Sequence, residues 1–353
     1  MEGPQRKLWL DWQRGLAVLF MVEWHTYDAW RLDAVAQGRL HDWLNLIGGF
    51  AAPSFLYMAG LSQVLADGAQ ERRGTPPRAR RRAAAGRAVW LLGVAYLFRL
   101  SLWVVDGGWR TGGGAGGLLR SFALDVLKVD VLNVIAVALL LSAWLVVGRG
   151  ALGALLAALV AALFAFLAPV VAAASLADSP VLEYLWNGRA SFALFPWAGF
   201  LFAGAVVGRL ASAHSRPVLL AAAGVALWLG GGASDRMTPV YAHQDFWKTS
   251  PSWFLMRLGV IVGMTAVLQL LPAAADRLLS WLRTMGRHSL LGYILSVVLP
   301  YGGVSHRLRH RLSMPAALGA VVAMIVLIWG ASALEDRRQG RKRARRPQEA
   351  PAR

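Results

Sequence analysis

Ionisable side chains line the first apolar segment of this 353-residue chain. Asp11 and Arg14 lie at its start, and Glu23, His25 and Asp28 lie near its end. At ~100° per residue these side chains form one stripe along a helix, from which only Glu23 departs. Imidazole changes protonation near neutral pH, and nearby carboxylates can orient it or raise its basicity. We therefore predict that His25 is a nucleophile or general base, with Glu23 and Asp28 as its catalytic partners.

Arg14 precedes His25 by about 16 Å along such a helix, at ~1.5 Å per residue. Asp11 and Arg14 would then shape a substrate pocket at one membrane face. The more ordinary interpretation is that they pair with each other, because residues three apart are neighbours on a helix surface. His25 has an alternative as well, a position among the lipid headgroups of the opposite face. The sequence leaves both questions open.

The elements that position these residues must be membrane helices. The chain is 57% hydrophobic and only 16% charged, far from the usage of soluble domains. Its apolar runs are each long enough to cross a hydrocarbon layer ~30 Å thick. The absence of cysteine excludes disulfides and thiolate chemistry, so that catalysis would depend on His, carboxylates, Arg or hydroxyls.

The sequence predicts an all-α polytopic membrane protein with about ten transmembrane helices. The predicted spans are 13–30, 46–66, 88–106, 128–147, 151–174, 191–208, 217–232, 253–271, 288–303 and 315–334. They form a single domain over 1–335, followed by a basic cytoplasmic tail, 336–353, that we expect to be disordered. Most Lys and Arg residues fall on the side of both termini, which predicts an N-in, C-in orientation.

The net charge of +18 could suggest a nucleic-acid partner. The basic residues cluster instead beside apolar runs, at 72–87 and 337–353, and aromatic residues do not alternate with them. We therefore expect a lipid bilayer as partner and no nucleic acid.

Two further polar groups lie in or beside predicted spans. Asp130 and Asn133 share one helix face, where they could pair locally with Lys128 or form a polar wall along a substrate path. Arg287 and His288 begin the ninth span, where they could bind phosphate or merely anchor the helix at the positive side.

Five motifs, spread over about residues 8–335, resemble the bacterial branch of the heparan-α-glucosaminide N-acetyltransferase-like transmembrane acyltransferases. The motifs are Asp11-Trp-Gln-Arg14-Gly15 with its continuation to His25, Phe50-Ala-Ala-Pro53-Ser-Phe55-Leu-Tyr-Met-Ala-Gly60, Asp130-Val-Leu-Asn133, Phe195-Pro196-Trp197-Ala-Gly199, and Gly286-Arg287-His288-Ser289-Leu-Leu-Gly-Tyr293.

This resemblance implies transfer of an acetyl or other short acyl group from cytoplasmic acyl-CoA, without a metal, to a glycan or other acceptor at the outer face. It implies that His25 is the catalytic residue and that Asp11 and Arg14 lie near the CoA entrance. The remaining motif residues are expected to bind substrate or CoA, namely Asp130, Asn133, Arg287, His288, Ser289 and Tyr293. The basic inner surface suits the phosphates of CoA. A homodimer is compatible with the sequence.

The chain departs from the family at one position. Members usually carry a histidine three residues after the tyrosine of the last motif, where this chain has Ser296. The hypothesis of a catalytically degenerate homologue therefore stays open, as does that of a transporter or exporter of a glycan or lipid-linked substrate. Heavy use of Ala, Gly and Arg favours a bacterial source and hence the cytoplasmic (inner) membrane.

Overall fold

The computed structural model of the protein describes residues 7–110, 112, 114–174, 182–185, 192–213, 216–237, 240–241 and 245–344. Over these residues every regular element is a helix, apart from one isolated bridge between Arg31 and Leu312. The α-helices are α1 (Leu8–Trp30), α2 (Arg39–Gly48), α3 (Ala51–Glu71), α4 (Pro77–Val105), α5 (Gly114–Asp125), α6 (Val131–Leu145), α7 (Gly150–Phe166), α8 (Ala168–Ala173), α9 (Leu194–Ala213), α10 (Pro217–Asp235), α11 (Pro251–Leu270), α12 (Asp276–Arg287), α13 (Ser289–Tyr301) and α14 (Met314–Ala344). The all-α prediction is confirmed.

Six segments are long and apolar enough to cross a membrane, which makes the chain a multi-pass membrane protein. They are Arg39–Glu71, Pro77–Val105, Leu194–Ala211, Pro217–Asp235, Pro251–Leu270 and Met314–Arg341. Three further predicted spans correspond to the shorter apolar helices α6, α7 and α13. The first predicted span corresponds to α1, whose ionisable residues lower its hydropathy. The count of ten spans therefore stays a prediction.

The predicted fifth span, 151–174, is divided between α7 and α8. Pro169 lies at the start of α8, and its missing N–H cannot continue the hydrogen-bond ladder of the preceding helix. Short helices also occupy segments predicted as loops, among them α2 and α12. With 10 and 12 residues, these helices are too short to span a bilayer. A search for apolar runs of membrane length therefore does not detect them.

The chain forms two compact units, 1–51 with 271–353, and 52–270. In the first unit α1 packs against α12, α13 and α14. A Cβ added at Gly15 would overlap the carbonyl oxygen of Leu282, and one added at Gly286 would overlap that of Asp11. The backbones of α1 and α12 are therefore in direct contact, as small residues permit in membrane helices.

The C-terminal end of α1 is held by the segment before α14. Leu32 donates a backbone hydrogen bond to the Leu312 carbonyl (2.8 Å), and Leu312 donates to the Trp30 carbonyl (2.8 Å). Beside this link, Tyr27, Ala317 and Val321 form a buried apolar cluster. These contacts fix the part of α1 that carries Glu23, His25 and Asp28.

In the second unit glycines again allow close helix contact. A Cβ at Gly60 of α3 would overlap the Leu201 carbonyl oxygen of α9, and one at Gly204 would overlap that of Tyr57. Gly224 and Gly259 make the same reciprocal contact between α10 and α11. The small residues of the predicted second span therefore pack a helix interface, which is the structural role expected of such residues.

The last helix continues into the predicted tail, because α14 ends at Ala344. Residues 336–344 are thus helical, whereas the remainder of the predicted tail, 345–353, lies outside the described residues.

Candidate active site

His25 of α1 is joined to Ser296 of α13. The imidazole Nδ1 lies 3.2 Å from the Ser296 Oγ, and that hydroxyl donates to the Tyr293 carbonyl oxygen at 2.9 Å. Ser296 is fully buried and His25 is half-buried. The position that departs from the family pattern is therefore in direct contact with the predicted catalytic residue.

Asp28 is linked to the same imidazole through Tyr301. The Tyr301 hydroxyl donates to Asp28 Oδ2 (3.0 Å), and the edge-on rings of Tyr301 and His25 have centroids 5.7 Å apart. Arg31 pairs with the other carboxylate oxygen of Asp28 at 3.4 Å. The carboxylate thus positions a ring that packs on His25, a role for Tyr301 that no sequence signal indicated.

Glu23 lies on another side of α1, as its helical angle predicts. Its carboxyl is buried, and neither oxygen has a hydrogen-bond partner among the described residues. The Thr26 hydroxyl, one turn further along α1, is likewise buried without such a partner in this part of the chain. Glu23 therefore does not orient His25 by a hydrogen bond between described groups, and its catalytic role stays a prediction.

Asp11 and Arg14 pair with each other, which is one of the two arrangements considered for them, with 4.0 Å between Asp11 Oδ1 and Arg14 Nη1. Asp11 is buried, whereas about a third of the Arg14 side chain is exposed. The neighbouring Trp12 indole donates to Asp276 Oδ1 (3.0 Å) at the start of α12. The N-terminal part of α1 is consequently held against α12, and the Arg14 side chain remains partly exposed.

Arg287 and His288 meet one carboxylate, that of Asp336 on α14. Arg287 Nη1 lies 3.2 Å from Asp336 Oδ2, and His288 Nε2 lies 2.8 Å from Oδ1. Ser289 begins α13, and the Tyr293 side chain is buried on that helix. The structure thus brings Arg287 and His288 together on a carboxylate that our sequence analysis did not identify.

Asp130 and Asn133 lie in the second unit, where they form a capping box at the start of α6. Asp130 Oδ1 accepts from the Val131 N–H (2.6 Å), while Asn133 Oδ1 accepts from the Asp130 N–H (3.3 Å). Asp130 Oδ2 also lies 4.0 Å from Arg99 Nη1. Helix capping is thus a structural role that the sequence analysis did not consider for these residues.

Asn133 also contacts Tyr184, one of two tyrosines joined by a hydrogen bond. Its amide donates to the Tyr184 hydroxyl (3.4 Å), which lies 2.6 Å from that of Tyr96. Burial raises the pKa of the Tyr184 phenol, and the hydrogen bond with Tyr96 raises it further. Tyr184 therefore stays a neutral hydrogen-bonding group over the physiological pH range.

A buried charge cluster in the second unit also escaped the sequence analysis. Asp67 of α3 pairs with Arg80 of α4 (3.1 Å) and with Arg209 of α9 (2.6 Å), and Glu71 contacts both arginines. The Gly148 N–H also donates to Asp67 (3.2 Å). A signal was available, because Asp67 and Glu71 lie one helical turn apart at the end of a predicted span.

The described residues contain no group of three or more His, Asp or Glu side chains that could hold a metal ion. The site of the first unit is a half-buried imidazole in contact with a hydroxyl and an aromatic ring, on a helix with a partly exposed arginine near its start. Ionisable groups at such positions are costly in a membrane protein and mark functional sites. Fold and site together define a multi-pass membrane protein with ionisable side chains packed among its helices.

The chain matches the family described as "Heparan-alpha-glucosaminide N-acetyltransferase, catalytic" over residues 6–232. Because this match covers more than half of the sequence, the protein belongs to that family, as the five motifs indicated. Membership makes it a membrane enzyme of the acetyltransferase type. The matched residues include α1 but end before α12, α13 and α14, which carry Ser296 and Tyr301. No curated protein matches the chain.

Proposed function

We propose that the protein transfers an acetyl or other short acyl group from cytoplasmic acyl-CoA to an acceptor at the outer face of a bacterial inner membrane. Membership of the acetyltransferase family supports the reaction, and the basic segments at 72–87 and 337–353 support N-in, C-in orientation. Ten spans are compatible with this orientation if α1, α6, α7 and α13 cross the bilayer together with the six longer apolar segments.

The single observation that carries the proposal is the contact of His25 with Ser296 inside the first unit. A half-buried imidazole held by a neighbouring element has the arrangement that a general base or nucleophile requires. As a base, His25 would take the proton of the acceptor amine or hydroxyl while the acyl–sulfur bond breaks and an acyl–nitrogen or acyl–oxygen bond forms. The proton would then pass to the departing CoA thiolate.

As a nucleophile, His25 would bond a ring nitrogen to the acyl carbon while the acyl–sulfur bond breaks, and the proton of the other ring nitrogen would pass to the departing CoA thiolate. The acceptor amine or hydroxyl would then attack the acyl carbon, the bond to the histidine nitrogen would break, and the acceptor's proton would return to the imidazole. Both routes need the same imidazole, and they differ in whether label from the acyl group is found on the protein.

The donor side is proposed at the N-terminal end of α1 and the start of α13. Arg14, Arg287 and His288 supply cationic or hydrogen-bonding groups for the CoA phosphates, and Asp11 and Asp336 hold them in place. Ser289 adds a hydroxyl and the backbone N–H of a helix start, where anions bind favourably. Tyr293 completes the proposed donor residues.

The acceptor is proposed to be a glycan or another molecule with an amine or hydroxyl. Glu23 is the group best suited to bind it, because this buried carboxyl lacks a partner among the described residues. Asp28 acts on His25 through Tyr301.

Asp130 and Asn133 are proposed to contribute to substrate binding in addition to capping α6. The lipid bilayer is the surrounding partner, and a homodimer is compatible with this function.

The test uses purified full-length protein in detergent with isotopically labelled acetyl-CoA. CoA release and protein-bound label are followed by mass spectrometry in wild type, His25→Ala and the control His306→Ala, which removes an exposed histidine of the same unit. We expect release of CoA in wild type and His306→Ala, and its loss in His25→Ala. Equal turnover in His25→Ala would remove His25 from the mechanism.

Other outcomes would favour the alternative functions. Binding of CoA without turnover, even with amino-sugar acceptors present, would favour the degenerate homologue. Movement of a glycan or lipid-linked substrate across vesicle membranes without CoA consumption would favour a transporter.

A further inference from the structure

We propose that Ser296 is a positioning residue that sets the tautomer of His25, with the proton on Nδ1 and the lone pair on Nε2. The inference deepens the proposed function and rests on it for the effect on activity. The tautomer itself is a property of the resting protein and can be measured without turnover.

The direction of the two hydrogen bonds follows from counting protons. The Ser296 hydroxyl has one hydrogen, and its oxygen lies 2.9 Å from the Tyr293 carbonyl oxygen. Two oxygens at this distance attract each other only if a hydrogen lies between them, and the carbonyl has none to give. The serine hydrogen is therefore directed at Tyr293.

With its hydrogen engaged, the Ser296 oxygen can only accept from His25. The two groups are 3.2 Å apart, so that Nδ1 must carry the hydrogen. A neutral imidazole holds one ring hydrogen, and hence the lone pair lies on Nε2. Ser296 would thereby present Nε2 as the basic or nucleophilic atom.

The surroundings keep this arrangement in place. Ser296 is fully buried, so bulk water does not compete for its hydroxyl. The Tyr301 ring meets the imidazole at an interplanar angle of 73°, and Asp28 fixes that ring through its hydroxyl. The plane of the imidazole is thus restrained on one side by a ring and on another by a hydrogen bond.

A positioning role differs from a direct catalytic one in its consequences. Ser296 would hold the ring and its proton but would not touch the transferred group. In histidine-based active sites, a wrong tautomer removes most of the catalytic rate while the geometry of the site is retained. The presence of serine, where the family usually has histidine, would then be compatible with a working enzyme.

The experiment is ¹⁵N NMR of detergent-solubilised protein labelled at histidine, at mildly alkaline pH where imidazole is neutral. Signals of His25, one of seven histidines, are identified by their loss in His25→Ala. We expect the wild-type shifts of an Nδ1–H tautomer, and a shift towards Nε2–H or a mixture in Ser296→Ala. The matched control is Ser305→Ala, which removes another buried serine that donates to a carbonyl, that of Pro300 (2.8 Å). It should leave the His25 signals unchanged.

Activity gives the second measurement. Ser296→Ala should lower kcat for acetyl transfer by about tenfold or more while KM for acetyl-CoA changes little. Ser296→Thr, which keeps a hydroxyl that can bond the preceding turn, should restore the Nδ1–H tautomer and part of kcat. An Nε2–H tautomer in wild type, or an unchanged tautomer in folded Ser296→Ala, would overturn the inference. An Nδ1–H tautomer in a protein without turnover would instead refute the proposed function and leave the positioning intact.

Discussion

The hydroxyl of Tyr301 donates a hydrogen bond to Asp28 across 3.0 Å, although the two residues are 273 positions apart in the chain. Because the Tyr301 ring also packs against His25, the carboxylate and the imidazole are coupled through an aromatic side chain. The predicted catalytic partner Asp28 is thus connected to His25 through the end of α13.

This coupling predicts a non-additive effect of Tyr301→Phe and Asp28→Asn. Tyr301→Phe removes this hydrogen bond, and Asp28→Asn replaces its charged acceptor by a neutral amide oxygen, so the double variant should lose little more kcat than the worse single one. We expect a coupling energy on the order of 1 kcal/mol in a double-mutant cycle on kcat for acetyl transfer. Tyr241→Phe, which removes a tyrosine hydrogen bond in the other unit, serves as control and should combine additively with Asp28→Asn. Additivity of the Tyr301 pair would contradict the coupling.

Glu23 gives a prediction in which stability and activity change in opposite directions. Glu23→Leu removes two buried oxygens that lack partners among the described residues, so it should raise the free energy of unfolding by about 1 kcal/mol or more. It should lower acetyl transfer if Glu23 binds the acceptor, since binding groups are often costly to the fold. Thermal unfolding in detergent and CoA release measure the two effects.

The matched control for Glu23 is Thr26→Val. It removes another buried polar group, a hydroxyl, from the same helix, and its activity should stay near that of wild type. Unchanged turnover in Glu23→Leu would show that this carboxyl takes no part in the reaction.

The contact between α1 and α12 predicts that Gly15→Ala and Gly286→Ala are both destabilising. Each new methyl group would overlap a backbone carbonyl oxygen, of Leu282 or of Asp11, and backbone has little freedom to move away. We expect a loss of about 1–3 kcal/mol for each, measured by thermal unfolding.

Gly330→Ala provides the comparison for these glycines. Gly330 is exposed on α14, where an added Cβ meets no atom, and alanine should stabilise that helix by up to about 1 kcal/mol. Equal effects at all three positions would exclude close packing as the cause.

The charge cluster of the second unit predicts that Asp67→Asn is strongly destabilising. The change leaves Arg80 and Arg209 without the carboxylate that both contact, and loss of one partner from a buried pair costs about 3–5 kcal/mol. Glu71→Gln should cost much less, because about half of the Glu71 side chain is exposed. Denaturation in detergent compares the two variants, and a mild effect of Asp67→Asn would assign these charges a role other than holding α3, α4 and α9.

The local features of the fold could be predicted from the sequence. Apolar runs indicated helices at membrane length, and helical periodicity placed Asp11 beside Arg14, which the structure confirms. Interactions within one turn of a helix depend on spacing along the chain alone. The same local logic could have found the capping box of Asp130 and Asn133, whose N-cap pattern is visible at the start of α6.

The partners of these residues could not be predicted. Ser296 contacts His25 from 271 positions away, and Asp336 meets His288 from 48 positions away. Hydropathy indicates that α1, α13 and α14 are helices. It does not show which of their faces are in contact, or which residues lie at the same level along neighbouring helices.

The sequence by itself determined the helical membrane class, the family and the stripe of ionisable residues on α1, since these depend on composition, motif order and local periodicity. Only the tertiary structure decided that Ser296 and Tyr301 contact His25, that Asp336 pairs with Arg287 and His288, and that Asp67 joins two arginines. Those contacts depend on how helices distant in sequence pack, and backbone contact through glycines such as Gly15 and Gly286 sets that packing in the first unit.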